Sequence, residues 1–356
     1  MPRCKAPEIL RVASRQIKND SLPRPRGSER AIPRSAGQMG VFQQPARAKG
    51  ANMMDAKDRI KKVGVVGCGT MGSGITQVCA QSGYKTTVSE ANEELLKKGM
   101  GSIESFLNKG MEKGKITQQQ KESTLDNIKG VNDLEHFSDC DLIIEAVSED
   151  LDLKKKIFAD LDKICPEHTV LGTNTSNLCI MEIASVTRRP EKVLGLHFMN
   201  PVPLMKLVEL VGSIVTSDDT LEVGKEFTKS LGKEYIVAKD TPGFIVNRLN
   251  SPFMLNAIRM FEAGIGSIED IDKAATLALG HPMGPFTLMD FGGLDMMYSS
   301  VKRRYEELPI PEFMPPPLLK RMVLAGRFGR KMGKGWYEYS AKGEKMGVMK
   351  LEKVGD

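Results

Sequence analysis

The sequence predicts a doubly wound, parallel α/β sheet followed by an all-α domain. Three observations carry this. From Ile60 to about His197, short apolar or β-branched runs alternate with stretches of helical period. A glycine-rich turn joins the first run to the first helix. After Asp240 the strand signals fade and long helical segments take over, with Thr241-Pro242-Gly243 as the turn between the two regimes.

The elements follow in order. Lys62–Val66 reads as a buried strand, followed by a helix through Gly72–Ser82. Lys85–Ser89 is a β-branched strand, and Asn92–Lys113 and Thr117–Asn127 read as helices. Asp141–Val147 is a strand, Leu151–Ile164 a helix, and Thr169–Gly172 and Lys192–His197 two more strands. Met205–Val211 reads as a further strand that turns back through Pro201 and Pro203. Phe244–Ala263 then predicts one long helix holding Pro252, with Ser267–Leu279, Pro285–Tyr298 and Pro316–Ala325 as further helices. The expected organisation is a basic extension over 1–55, a sheet domain over 56–240, a helical domain over 241–340 and a tail over 341–356.

The chain has 356 residues, enough for two domains. No run of 18 apolar residues is present, which excludes a membrane-spanning helix. The net charge of +6 sits entirely at one end. Residues 1–53 hold 11 basic and 3 acidic side chains, whereas the rest carries 40 and 42. The body thus lacks the charge footprint of a nucleic-acid binder. Residues 1–53 are Arg-rich and poor in acids, as transit peptides are, but their prolines break the helix that targeting requires. With Met53-Met54 just before the first ordered pattern, an over-long translation start is the favoured expectation. The six cysteines (Cys4, Cys68, Cys79, Cys140, Cys165, Cys179) form no CxxC pair, and no metal-ligand spacing is visible. They read as small core residues in a reducing compartment, the cytoplasm, or the mitochondrial matrix if the extension targets it.

Gly67-Cys68-Gly69-Thr70-Met71-Gly72 matches GxGxxG between a strand and a helix, with Glu90 at the end of the second strand. Gly67 permits the tight turn, Gly69 admits a pyrophosphate to the backbone, and Gly72 lets helix pack on strand. The helix N-terminus faces the phosphates. This is the Rossmann-like dinucleotide unit. A carboxylate at Glu90 accepts from ribose hydroxyls and repels a 2′-phosphate, so NAD is expected rather than NADP. Cys68, near a helix N-terminus, is a candidate for a lowered thiol pKa and for oxidative control of cofactor binding. Of the four histidines, His197 closes a strand and lies twelve residues before Glu209. Folded back, Glu209 orients and stabilises an imidazole that moves a proton. His136, His168 and His281 receive a structural reading.

The chain resembles the L-3-hydroxyacyl-CoA dehydrogenases, most closely their bacterial 3-hydroxybutyryl-CoA dehydrogenase members, over about residues 60–340. The resemblance is carried by Gly67–Gly72, Thr173-Asn174-Thr175-Ser176, His197–Pro203 through Glu209, Asp240–Arg248, His281–Pro285 and Gly329–Tyr337. It implies a C-terminal domain like that of 6-phosphogluconate dehydrogenase, and a homodimer formed through it. The activity implied is NAD-dependent oxidation of (S)-3-hydroxyacyl-CoA and its reversal, in fatty-acid or butyrate metabolism. By the same resemblance His197 is the general acid/base and Glu209 its partner. Ser176 touches the substrate oxygen and the nicotinamide, Asn200 lies beside the histidine, and Asn247 closes over the site. Ser105 and Lys113 contact the CoA part, and Glu149, Lys154 and Lys331 the cofactor. Met199, Asp150 and Glu90 depart from the commonest pattern at their positions, and Met199 puts chain-length preference in doubt. The competing readings are a dehydrogenase of free hydroxy acids with the same plan, and an inactive, crystallin-like NAD-binding relative.

Overall fold

The structure, a computed structural model, describes residues 56–349 of the chain. The expectations for the basic extension, for Cys4 and for the end of the tail lie outside these residues. A one-turn helix α1 (Ala56–Arg59) leads into the first strand. The strands of the sheet are β1 (Lys62–Val66), β2 (Lys85–Ser89), β3 (Ile128–Val131), β4 (Leu142–Glu145), β5 (Val170–Thr173), β6 (Val193–Phe198), β7 (Leu207–Gly212) and β8 (Glu234–Lys239). Between them run α2 (Thr70–Gln81), α3 (Glu93–Glu112), α4 (Gln118–Asp126), α5 (Leu151–Ile164), α6 (Ile180–Ala184) and α7 (Asp218–Ser230).

The spatial order is β3-β2-β1-β4-β5-β6-β7-β8. The first six of these strands pair in parallel, β7 runs antiparallel to β6, and β8 again follows β7 in parallel. The strand order reverses beside β1, which opens a crevice at the carboxyl ends of β1 and β4. Central strands are buried on both faces, so β1 and β4 read as continuous apolar runs. Neighbouring side chains serve opposite layers. Leu142 and Ile144 pack with Val65, Ile75 and Val88, while Ile143 packs with Phe158, Leu161 and Leu171. Each fully buried aliphatic or aromatic side chain contributes about 1.5–3 kcal/mol.

Side chains cap four of the helices that run between the strands. Asn92 accepts from Leu95 N–H, Thr117 and Gln120 form a capping box, Asp150 accepts from Leu153 N–H and Ser217 from Thr220 N–H. Helix α2 differs. Its N-cap is Gly69, and no side chain caps it.

Beyond the sheet lie α8 (Val246–Glu262), α9 (Ile268–Lys273, continued by a π turn over Ala274–Ala278), α10 (Pro285–Gly292), α11 (Leu294–Glu307) and α12 (Pro317–Leu324). Their core gathers Leu255, Ile258, Phe286, Leu294, Val301 and Trp336. Several expectations need correction here. The segment expected as a tail is not featureless, because β9 (Tyr337–Tyr339) and β10 (Lys345–Val348) form an antiparallel hairpin where the helical region ends. The helix expected over Pro285–Tyr298 is two helices, broken at Gly293 with φ +95°. The long helix starts at Val246, after Gly243 (φ +80°) and Phe244 (φ +47°) turn the chain. Strands β3 and β8 and helix α7 have no counterpart in the sequence reading. No helix among the described residues is long and apolar enough to cross a membrane.

Candidate active site

The glycine-rich turn leaves β1 and enters α2 as the sequence implies. Gly67 stands at φ +95° and donates its N–H to Ser89 O at 2.8 Å. A Cβ at Gly72 would lie 1.8 Å from the Gly67 carbonyl oxygen, so only glycine fits there. A Cβ at Gly69 would meet nothing within 4 Å, because that residue faces open space. The first-turn N–H groups of α2 have no intrahelical partner and no side-chain cap. Together they form an anion cradle at the positive end of a helix. Cys68, Gly69, Thr70, Ser73, Gly74, Glu90 and Asn200 are among the residues lining a cleft of about 370 Å³. Glu90 reaches back over the turn, where one oxygen accepts from Cys68 N–H at 2.8 Å and the other from Ala91 N–H at 2.9 Å. A carboxylate has about four lone-pair sites, so acceptor capacity for ribose hydroxyls remains. These residues fit a dinucleotide.

Cys68 corrects the sequence reading. It is 2 % exposed, and its thiol packs against Gly99 of α3, where a Cβ would lie 2.3 Å from Sγ. Burial, and then the Glu90 charge, push the thiol pKa up to about 12. The thiol is a core group, not a reactive one, and Cys68 serves the turn through its backbone.

His197 and Glu209 face one another directly in the β6–β7 register. Imidazole Nδ1 lies 2.7 Å from Glu209 Oε2. Glu209 is fully buried and His197 nearly so. The other oxygen, Glu209 Oε1, accepts from the Ile245 and Val246 N–H groups, both at 2.9 Å, at the start of α8. Burial pushes the Glu209 carboxyl up, but the His197 hydrogen bond and charge and the two backbone donors outweigh it, leaving the pKa lowered. The ring of Phe244 lies edge-on to His197, with centroids 5.7 Å apart. The arrangement holds the imidazole by Nδ1 and leaves Nε2 to exchange a proton.

Ser176 sits in the loop after β5. Glu149 Oε1 accepts from Thr175 Oγ1 (2.6 Å), Ser176 N–H (3.0 Å) and Asn177 N–H (3.0 Å), and so clamps that loop. Asn174 ties it to the histidine strand by accepting from Phe198 N–H at 2.8 Å. Asn247 donates one amide N–H to the Ser176 carbonyl at 3.4 Å and keeps a second. Asn200 lines the cleft, and its peptide bond to Pro201 is cis. Gly74 of α2 lies against Val202, and Lys233 Nζ donates to Val202 O and Met205 O at 2.7 Å, fixing the proline turn.

Other expected contacts fall elsewhere. Lys154 is 1 % exposed and binds Glu145 Oε1 at 2.6 Å, with Glu149 Oε2 at 3.6 Å. It presents no free ammonium to the cleft and serves to hold Glu149. Lys331 is exposed but paired with Asp295 at 2.6 Å. Ser105 lines a separate groove of about 340 Å³ on α3, together with Asn108 and Lys109, while Ser102 and Phe106 reach the cofactor cleft. Lys113 is the exposed C-cap of α3 and lines neither. Asn174, Lys233 and the Glu145–Lys154 pair went unread in the sequence, because each is defined by a partner on another element.

Residues 62–241 match the model of the 3-hydroxyacyl-CoA dehydrogenase NAD binding domain, and residues 243–339 that of the 3-hydroxyacyl-CoA dehydrogenase C-terminal domain. The chain is similar to a 3-hydroxybutyryl-CoA dehydrogenase of Mycobacterium tuberculosis, at 45 % identity over 284 residues, 79 % of this chain and 99 % of that one. It is also similar to the mitochondrial hydroxyacyl-coenzyme A dehydrogenase of Sus scrofa, at 42 % identity over 79 % of this chain and 91 % of that one. Among solved structures, M. tuberculosis FadB2 superposes with a TM-score of 0.78 at 44 % identity, covering 80 % of this chain and 100 % of that chain. The (S)-3-hydroxybutyryl-CoA dehydrogenase PaaH1 of Ralstonia eutropha superposes with a TM-score of 0.76 at 40 % identity, covering 79 % and 99 %.

Proposed function

Because this chain belongs to the 3-hydroxyacyl-CoA dehydrogenase family, whose members are NAD-dependent oxidoreductases, we propose that it interconverts short (S)-3-hydroxyacyl-CoA and 3-ketoacyl-CoA thioesters, with His197 as general acid/base. The observation that carries the proposal is the buried Nδ1–Glu209 hydrogen bond of 2.7 Å beside the glycine-rich cleft. NAD, held by Gly67–Gly72 and Glu90, supplies the hydride acceptor.

The chain's own residues handle the proton. In oxidation His197 Nε2 takes the proton of the 3-hydroxyl, and Glu209 stabilises the imidazolium that results. In reduction the same imidazolium protonates the developing alkoxide. The Ser176 hydroxyl and the second N–H of Asn247 donate to that oxygen. The polar groove around Ser105 is where the CoA portion would run along α3.

Acyl-CoA as substrate class follows from the relatives, whereas the short acyl length and the assembly are proposals. The helical region exposes Ile265 (68 %), Leu277 (84 %) and Leu279 (66 %), and Phe253, Met260 and Leu279 line an apolar groove of about 280 Å³. An exposed apolar patch of this kind supports a homodimer through this face. Among the described residues five cysteines are free and four of those are buried, which supports a reducing compartment such as the cytoplasm.

The test is NADH consumption with acetoacetyl-CoA, with NADPH and a free 3-keto acid in parallel. Turnover with NADH and the thioester, lost in His197→Ala, supports the proposal. Tight NADH binding without turnover of any acyl-CoA favours the inactive reading, and turnover of the free acid alone the second dehydrogenase reading.

A further inference from the structure

Arg304, on α11, is 2 % exposed and has no carboxylate among its hydrogen-bond partners. Its Nη1 donates to Ser251 Oγ at 2.6 Å, and its Nη2 to Asn177 Oδ1 at 2.7 Å and Ser300 Oγ at 3.0 Å. Burial lowers its pKa to about 10. The Gly243 backbone lies against the guanidinium, where a Cβ would stand 2.6 Å from Nε, and the Phe313 ring lies 5.5 Å from it. A cation buried without a counterion is costly, and packing alone would be better served by an apolar side chain.

The donors and acceptors in this cluster admit one direction. A guanidinium only donates, so the Asn177 end that meets it is the carbonyl oxygen. Ser300 Oγ also bonds Asn177 Oδ1, at 2.8 Å. The amide NH2 of Asn177 is thereby turned toward Ser176, where Nδ2 donates to Oγ at 2.8 Å. That hydroxyl oxygen already accepts, which leaves its own hydrogen to be donated elsewhere. The charge at the far end of the chain polarises the amide and strengthens the inner bond.

We infer that Arg304, acting through Asn177, sets the Ser176 hydroxyl as a hydrogen-bond donor toward the C3 oxygen of the substrate. The inference rests on the reading that Ser176 touches that oxygen. Arg304 and Asn177 are positioning residues and need not contact substrate.

The decisive variant is Asn177→Asp. A carboxylate there pairs with Arg304 at least as well, but it offers Ser176 no donor and instead draws the Ser176 hydrogen inward. The expected result is a melting temperature equal to or above the parent's, unchanged NADH affinity by fluorescence, and a kcat with acetoacetyl-CoA lowered about 10- to 100-fold, toward the loss seen on deleting one oxyanion donor. KM should move less than kcat. Ser176→Ala should fall similarly, and the double variant no further. A fully active Asn177→Asp beside a crippled Ser176→Ala overturns the relay. A fully active Ser176→Ala overturns instead the role of Ser176. Should Asn177→Asp not fold, Arg304→Met and Arg304→Lys decide. The lysine keeps a donor for Asn177 Oδ1 and should restore kcat relative to the methionine, and equal kcat in the two overturns the inference.

Discussion

Glu209 holds His197 with one carboxylate oxygen and the start of α8 with the other. The residue that orients the base therefore also fixes where the helical region begins. The positive end of α8 and the imidazole share one buried anion, and this offsets the burial cost that would otherwise raise its pKa.

Glu209→Gln tests that double duty. An amide has one acceptor oxygen, so it can serve the imidazole N–H or the backbone N–H pair, but not both. The buried donor left over costs about 1–3 kcal/mol. Loss of the imidazolium partner should lower kcat about 10²-fold or more, within the range of general acid–base contributions. The stability gap between parent and variant also has a defined pH dependence. A carboxyl whose folded pKa lies below its ordinary value near 4.5 stabilises fully above that value, and the contribution is lost as pH falls through the lowered pKa. Denaturation curves at pH 7 and under acid conditions should therefore converge as pH drops. A gap that widens in acid would contradict this account.

Gly69 and Gly72 lie three residues apart and should fail in different ways. Gly69→Ala adds a methyl into open space at φ −71°, so the melting temperature should stay near the parent's. That methyl occupies the anion cradle, and NADH affinity should drop about tenfold or more, equivalent to about 1.4 kcal/mol. Gly72→Ala places its methyl on the Gly67 carbonyl and should cost stability as well, by about 3 kcal/mol or more, at the upper end of overpacking effects. Calorimetry and NADH fluorescence on the same samples separate the two. Equal behaviour of both variants would mean that the cradle is not where the pyrophosphate binds.

The parts legible in the sequence are those whose logic is local. The β1–turn–α2 unit needs only a buried strand, three glycines and an acidic residue at the next strand end. The His197–Glu209 pair is reachable because one hairpin with two prolines spans it. The relay is not reachable this way, since Asn177 and Arg304 are 127 residues apart and neither belongs to a motif. Strand β8 is not legible because its burial is partial and irregular, and the β9–β10 hairpin because its strands are only three and four residues long. Cys68 shows the opposite error. Proximity to a helix N-terminus suggests activation, but the side chain points into the core, and desolvation decides its pKa.

The family resemblance implies Lys154 as a cofactor contact, a role that needs its ammonium open to the cleft. Here β4 places Glu145 beneath it, and both are sealed, at 1 % and 0 % side-chain exposure. Glu145 also accepts from Thr173 Oγ1 and Val147 N–H at 2.7 Å, so it has no other cation to turn to in this cluster. Lys154→Met preserves the aliphatic volume and strands the carboxylate. It should cost about 3–5 kcal/mol, the penalty for breaking a buried pair from one side. The double variant Lys154→Met with Glu145→Gln should recover part of that loss, because no uncompensated charge remains. Chemical denaturation measures both. If Lys154→Met is as stable as the parent and only NADH affinity falls, the lysine works as a direct cofactor contact, and its role in holding Glu149 and the Ser176 loop is wrong.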